Sequence, residues 1–146
     1  MSYKTEQEEF WAGEFGTQYI ERNKSKSLLA SNLNFFGNIL KNVSEISNCL
    51  EFGANIGMNL QALSLLFPEI RLGAVEINRE ACKVLRSDFP EAQVHNRSVL
   101  DFEIKEKWDL VLIKGVLIHV NPDLLEEVYT KLHNATDKYI LIAEYY

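Results

Sequence analysis

Apolar segments of strand length alternate along this sequence with amphipathic segments of helical length. Strands are predicted at 50–52, 70–77, 92–95, 108–113 and 139–143, and helices are predicted at 27–43, 58–67, 78–89 and 121–132. Strands joined by crossover helices pair in parallel with right-handed connections. The fourth strand segment, Trp-Asp-Leu-Val-Leu-Ile, is almost wholly apolar, as in a strand covered on both faces. The sequence therefore predicts an α/β fold with a doubly wound parallel sheet.

The first strand segment ends in a glycine turn that begins a helix. The stretch 48–59 reads Asn-Cys-Leu-Glu-Phe-Gly-Ala-Asn-Ile-Gly-Met-Asn. Gly53 permits backbone angles that a side chain forbids, and Gly57 lets the helix approach strand and ligand closely. A dinucleotide fingerprint has further glycines where this chain has Asn55 and Met58, so a phosphate-bearing cofactor is disfavoured. The alternative is a tight β-to-α turn without a ligand.

Two carboxylates stand at the ends of the first two strand segments. Glu51 would repel a phosphate but attract an ammonium group or a ribose hydroxyl. Glu76 lies 23 positions after Gly53, near the offset of about 20 residues at which a carboxylate binds ribose in such folds. S-adenosylmethionine carries an ammonium group and a ribose but no phosphate, so we predict it as the cofactor. The alternative for Glu76 is a solvated strand end.

The overall composition narrows the classes of partner. The chain has 146 residues, a net charge of −6 and a pI near 5.1, which predicts one globular domain and repulsion of nucleic acid. No apolar run approaches the ~18 residues that span a bilayer, and the N-terminus does not resemble a signal peptide. We therefore expect a cytoplasmic protein with no membrane partner and no metal site. Cys49 and Cys82 are expected to be buried and reduced.

The N-terminal segment 1–26 is distinct from the core segment 27–146. A short helix is predicted over 5–11, followed by a linker that carries Gly13 and Gly16. Aromatic residues crowd the same region, namely Phe10, Trp11, Phe15 and Tyr19. Two interpretations stay open, a flap that packs on the core or a lid that closes over a ligand. Tyr19, Arg22 and Asn23 are polar groups suited to a small substrate or a cofactor carboxylate.

Four stretches resemble the successive motifs of class I S-adenosylmethionine-dependent methyltransferases, which have a Rossmann-like fold. They are Leu-Glu-Phe-Gly-Ala-Asn-Ile-Gly at 50–57, Val-Glu-Ile at 75–77, Trp-Asp-Leu-Val-Leu at 108–112 and Leu-Ile-His-Val at 117–120. The N-terminal stretches 5–16 and 19–23 resemble the methyltransferases associated with pseudaminic acid biosynthesis. This second resemblance implies a bacterial enzyme that acts near surface-glycan sugar synthesis.

The resemblance implies a role for each matching position. Glu51 would hold the methionine ammonium group, Glu76 would bind the ribose, and Ile77 would pack on the adenine. Ser98 and Val99 would border the base, although the commoner family residue at position 98 is acidic. The complete predicted cofactor site is Glu51, Phe52, Gly53, Asn55, Gly57, Glu76, Ile77, Ser98, Val99 and Lys114.

Methyl transfer requires little chemistry from the protein itself. The sulfonium methyl is already electrophilic, so the protein mainly aligns the acceptor and excludes water. A hydroxyl or protonated amine acceptor is helped by a base, for which His119 and Tyr19 are the candidates; a structural role for either is the alternative. Two other functions stay open: a module that binds the adenosyl ligand without turnover, and a nicotinamide-dependent oxidoreductase, which Glu51 and Asn55 disfavour.

Two departures from the family pattern shape the expected partners. The fourth strand continues Ile-Lys-Gly-Val at 113–116, where nucleic-acid methylases have Asp/Asn-Pro-Pro-Tyr/Phe, so we expect a small-molecule acceptor. The family's sheet continues past the fifth strand with an antiparallel pair, whereas this chain stops at Tyr146. We therefore expect a C-terminally truncated sheet whose exposed fifth strand is covered by a partner chain or a homodimer contact.

Overall fold

Five parallel strands form a single sheet in the computed structural model, which describes residues 2–22, 24–43 and 45–145. The strands stand in the order β3-β2-β1-β4-β5. Their bounds are β1 Asn48–Phe52, β2 Arg71–Glu76, β3 Gln93–Asn96, β4 Trp108–Lys114 and β5 Thr136–Ala143. The chain winds outward from β1 to β3, then returns to add β4 and β5 on the other side. The switch point between β1 and β4 is where ligands bind in open α/β sheets.

Six helices accompany the sheet in the described part of the chain. They are α1 Glu6–Ala12, α2 Glu14–Arg22, α3 Lys26–Leu40, α4 Met58–Leu66, α5 Arg79–Asp88 and α6 Leu125–Ala135, with 3₁₀ turns at Leu117–His119 and Pro122–Leu124. Three of these helices begin after an N-cap residue whose side chain accepts a backbone N–H group. These residues are Thr5 before α1, Ser25 before α3 and Asn78 before α5. Such caps satisfy amide groups that have no partner inside the helix.

The core lies on both faces of the sheet because successive strand residues point to opposite sides. On one face, Cys49 packs in a cluster with residues of α3, α4 and α5. On the other face, Leu50 and Phe52 pack in a cluster that includes residues of α6. Six of the seven residues of β4 are buried, so its apolar sequence reflects a central position. The predicted doubly wound parallel sheet is confirmed.

The predicted linker after the first helix is wrong. Residues of this stretch form α2, and Gly16 is buried inside it. A Cβ added at Gly16 would lie 1.9 Å from the carbonyl oxygen of Trp11. The glycine therefore permits the close packing of α2 on α1, whereas the sequence predicted a linker at this position.

β5 forms an outer edge of the sheet. Its face is only partly covered, since Ile140 is 39% exposed and Ile142 is 50% exposed. No antiparallel strand follows it among residues up to 145, in agreement with the predicted sheet. The cover expected from a partner chain stays a prediction. Nowhere in the described ranges is there a helix with the length and apolar character needed to cross a bilayer.

Candidate functional site

A cavity of about 280 Å³ opens at the carboxyl ends of β1, β2 and β4. Its floor is the turn after β1, its walls come from the ends of β2, β3 and β4, and residues of α1 and α2 lie over it. The lining includes Trp11, Tyr19, Gly53, Asn55, Glu76, Ser98, Lys114 and His119. The cavity therefore occupies the switch point of the sheet, where the glycine turn predicted it.

The turn after β1 depends on residues that tolerate positive φ. Gly53 has φ 75°, Asn55 has φ 48° and Gly57 has φ 83°. A Cβ at Gly53 would lie 2.4 Å from Cγ2 of Val116, whereas a Cβ at Gly57 would lie 2.6 Å from the ring of Phe89. Gly53 thus keeps the cavity floor close to the loop after β4. Gly57 serves the packing of the turn on α5 and does not line the cavity.

Glu76 ties the ends of β1 and β2 together at the cavity wall. Its Oε2 accepts the N–H of Asn55 at 2.7 Å, and its Oε1 accepts the N–H of Asn78 at 2.7 Å. Burial raises the pKa of Glu76, while the bonds from Asn78 and Asn55 oppose that rise. A carboxylate offers about four acceptor positions. Glu76 therefore retains capacity for hydroxyl groups of a ligand in the cavity.

Glu51 is completely buried and lies behind the cavity lining. Its Oε1 accepts a bond from Nδ2 of Asn59 at 2.6 Å, whereas its Oε2 has no hydrogen-bond partner within the described residues. Burial raises the pKa of Glu51 from the usual 4.5 to about 8, against the effects of Asn59 and the Lys114 charge. A buried oxygen without a partner is costly. It suits a ligand that supplies a cationic N–H donor, as the ammonium group of S-adenosylmethionine would.

The N-terminal helices are held over the cavity by Asn78. Its Nδ2 donates to the carbonyl oxygen of Trp11 at 3.2 Å and to Oγ1 of Thr17 at 3.1 Å, while its Oδ1 caps α5. The ring of Trp11 lies 5.3 Å from that of Tyr19 and 4.7 Å from that of His119, centroid to centroid. An aromatic cluster thus borders the cavity where the two candidate bases stand.

A carboxylate that the sequence did not place in the site, Glu8 of α1, reaches the same cavity. It is 8% exposed, and the hydroxyl of Ser98, 3% exposed, donates to its Oε1. The Thr5–Glu8 capping pattern indicates only where α1 begins. No local signal reveals a contact across 90 positions of sequence.

The structure brings most of the predicted site residues to one cavity. Its lining contains Gly53, Asn55, Glu76, Ile77, Ser98, Val99 and Lys114, together with Tyr19 and His119. Glu51, Phe52 and Gly57 are buried behind that lining. Arg22 is not among the lining residues, and Asn23 lies outside the described residues. Within the described ranges, no group of three or more His, Cys, Asp or Glu residues is arranged to hold a metal ion.

The fold is similar to that of class I S-adenosylmethionine-dependent methyltransferases. The sugar N-methyltransferase KedS8 from Streptoalloteichus sp ATCC 53650 aligns with a TM-score of 0.74 and 14% identity, over 100% of this chain and 57% of that one. S-adenosylmethionine-bound CalS10, an amino pentose methyltransferase from Micromonospora echinaspora, aligns with a TM-score of 0.72 and 13% identity, over 90% of this chain and 56% of that one. The plantazolicin methyltransferase BpumL in complex with S-adenosylhomocysteine aligns with a TM-score of 0.73 and 15% identity, over 93% of this chain and 56% of that one.

At these identities the likeness establishes the fold. The chain spans little more than half the length of each of these three proteins. No protein-family description matches the sequence, and no curated protein matches it.

Proposed function

We propose that this chain binds S-adenosylmethionine in the cavity and transfers its methyl group to a small-molecule acceptor. The observation that carries the proposal is the pair of buried carboxylates at adjacent strand ends. Glu51 has an oxygen without a partner in the described residues, and Glu76 stands at the cavity wall with acceptor capacity left. These two groups match the cationic and hydroxyl donors of the cofactor.

In this proposal the chain's own residues hold the cofactor by its polar ends. Glu51 accepts the ammonium group through Oε2, and Glu76 accepts the ribose hydroxyls while the N–H groups of Asn55 and Asn78 keep its carboxylate in place. Ile77 and Val99 contact the base. When bound, S-adenosylmethionine supplies an electrophilic methyl group on a positively charged sulfur.

The acceptor is proposed to lie against the aromatic cluster under α1 and α2. Trp11 and Tyr19 cover this side of the cavity and His119 stands beside Trp11. This cover excludes water and orients the acceptor, which supplies much of the rate enhancement in such transfers. Either His119 or Tyr19 is proposed to take the proton from a hydroxyl or amine acceptor.

A sugar or nucleotide-sugar is the acceptor class that we propose. Two structures of similar fold belong to proteins described as a sugar N-methyltransferase and an amino pentose methyltransferase. The N-terminal resemblance to methyltransferases of pseudaminic acid biosynthesis points to the same class. An acidic chain with a net charge of −6 also favours a small acceptor over a polyanion.

Calorimetric titration with S-adenosylmethionine and S-adenosylhomocysteine, with NADH as the control ligand, tests the cofactor. The proposal expects micromolar binding of the first two and none of NADH. Coupled detection of S-adenosylhomocysteine in the presence of a panel of amino sugars and nucleotide-sugars then tests the transfer. Binding of the adenosyl ligands without turnover on any acceptor would indicate a binding module instead. Binding of NADH alone would indicate an oxidoreductase.

A further inference from the structure

Glu8 is the acidic residue of α1 that is buried against the core. Its neighbours Glu6 and Glu9 are exposed, whereas Glu8 lines the cavity and is 8% exposed. Its Oε2 accepts the N–H groups of Lys4 at 2.6 Å and Thr5 at 3.0 Å, and its Oε1 accepts the hydroxyl of Ser98. Three acceptor positions of the carboxylate are therefore in use, out of about four.

The start of α1 does not by itself explain this burial. A capping box works with an exposed glutamate or glutamine, because it needs only the bond back to the N-terminal amides. No salt bridge to Glu8 is found among the described residues; the ammonium group of Lys4 pairs with Asp101 and acts on Glu8 only at longer range. A carboxylate buried beside a cavity with an acceptor position left is a site for a ligand N–H donor.

The order of the carboxylates along the sheet edge indicates which donor this is. Glu51 is the penultimate residue of β1, and Glu76 ends β2 and pairs with Asn96 of β3. Ser98 lies two positions after β3, and its hydroxyl donates to Glu8. Neighbouring strands lie about 4.8 Å apart, so the three carboxylates mark successive points along one edge. S-adenosylmethionine presents its donors in the same order: the ammonium group, the ribose hydroxyls and the exocyclic amino group of adenine.

We propose that Glu8 accepts a hydrogen bond from the exocyclic amino group of the adenine and is a specificity-determining residue of the cofactor site. This inference rests on the proposed function, and it makes α1 a part of the cofactor site as well as a cover over it. Ser98 is the positioning residue, since its hydroxyl donates to Glu8 while it accepts the N–H of Leu100 at 3.1 Å.

The test compares two ligands that differ only at the purine. S-adenosylhomocysteine carries the 6-amino donor, and S-inosylhomocysteine carries a 6-oxo acceptor in its place. Both are titrated into the wild type, Glu8→Gln and the control Glu9→Gln, which makes the same charge change at an exposed position of the same helix. Glutamine preserves the capping box, and its amide can donate to a 6-oxo group.

The wild type is expected to prefer S-adenosylhomocysteine at least tenfold, the scale of a hydrogen bond to a charged group. Glu8→Gln should lower that affinity roughly tenfold or more and leave or improve the affinity for S-inosylhomocysteine. Glu9→Gln should match the wild type for both ligands.

Equal losses for both ligands in Glu8→Gln, or no loss for either, would overturn the role of Glu8 while leaving the proposed function intact. Failure of the wild type to bind S-adenosylhomocysteine would overturn both. If Glu8→Gln does not fold, the test is the ratio of the wild-type affinities for S-adenosylhomocysteine and S-inosylhomocysteine. Equal affinities would exclude recognition of the amino group and overturn the proposal.

Discussion

Replacing Glu51 with glutamine should flatten the pH dependence of stability. The carboxyl group is wholly buried, and its pKa is raised from the usual 4.5 to about 8. An acid with a raised pKa in the folded state keeps its proton after the unfolded chain has lost it. The free energy of unfolding therefore falls as the pH rises from about 4.5 to about 8, and Glu51 stabilises least above that interval.

The size of the effect follows from the shift. Each pKa unit corresponds to about 1.4 kcal/mol, so between pH 5.5 and pH 8 Glu51 should lower the free energy of unfolding by roughly 3 kcal/mol. Glutamine keeps an oxygen that accepts the bond from Asn59 but does not titrate in this range. Glu51→Gln should therefore lose roughly 3 kcal/mol less than the wild type across that interval.

Denaturant unfolding of both proteins at the two pH values measures this difference directly. All other titrating groups are common to the pair, so their contributions cancel. Glu69→Gln, at an exposed position between α4 and β2, is the matched control and should follow the wild type. If the wild type and Glu51→Gln lose the same free energy between pH 5.5 and pH 8, the reasoning about the buried acid is refuted.

Three further predictions concern the turn and the cofactor. Glu76→Ala should weaken S-adenosylmethionine binding by roughly 1.5 to 3 kcal/mol in calorimetric titration, and an unchanged affinity would remove Glu76 from the site. Gly53→Ala should lower the free energy of unfolding by about 2 kcal/mol or more in denaturant unfolding, because the added methyl group meets Val116. A Gly53→Ala, Val116→Ala double variant should recover part of that loss. Equal stability of the single and double variants would contradict this cause. Binding of S-adenosylhomocysteine at pH 7 should release roughly one proton from Glu51, so the observed heat should vary with the ionisation enthalpy of the buffer. Glu51→Gln should show a smaller variation, and equal variation in the two proteins would contradict this role.

The central strands were predictable because they are local apolar runs, whereas the edge strand β3, Gln-Val-His-Asn, has no buried residue. Six of the seven residues of β4 are buried. A strand that is buried on both faces is apolar at nearly every position, which makes it easy to recognise in the sequence. β5 begins at Thr136, three residues before the predicted segment at 139–143. The sequence did not reveal this start because the first residues of β5 are polar, although Thr136 pairs with Trp108 of β4. Burial of a strand could be inferred from the sequence, whereas the residue at which its pairing with the neighbouring strand begins could not.

The position of the cavity was predictable because a strand end and the glycine turn after it form its floor. Glu51, Gly53 and Glu76 follow from the strand–turn–helix pattern and a fixed offset. Glu8 does not, since its burial depends on how α1 lies across the loop after β3. The linker prediction at Gly16 was wrong for the same reason. Two nearby glycines indicated a linker, but Gly16 is required because α2 packs closely on α1.

The amide of Asn78 acts on two elements through its two ends. Oδ1 begins α5, and Nδ2 holds the carbonyl groups of the segment over the cavity. If the N-terminal helices move away, water can replace the bonds to Nδ2 while Oδ1 and the turn bound by Glu76 stay as they are. Opening of the cavity would then be separable from unfolding of the core, and amide hydrogen exchange should divide the molecule into a fast-opening N-terminal unit and a slow remainder.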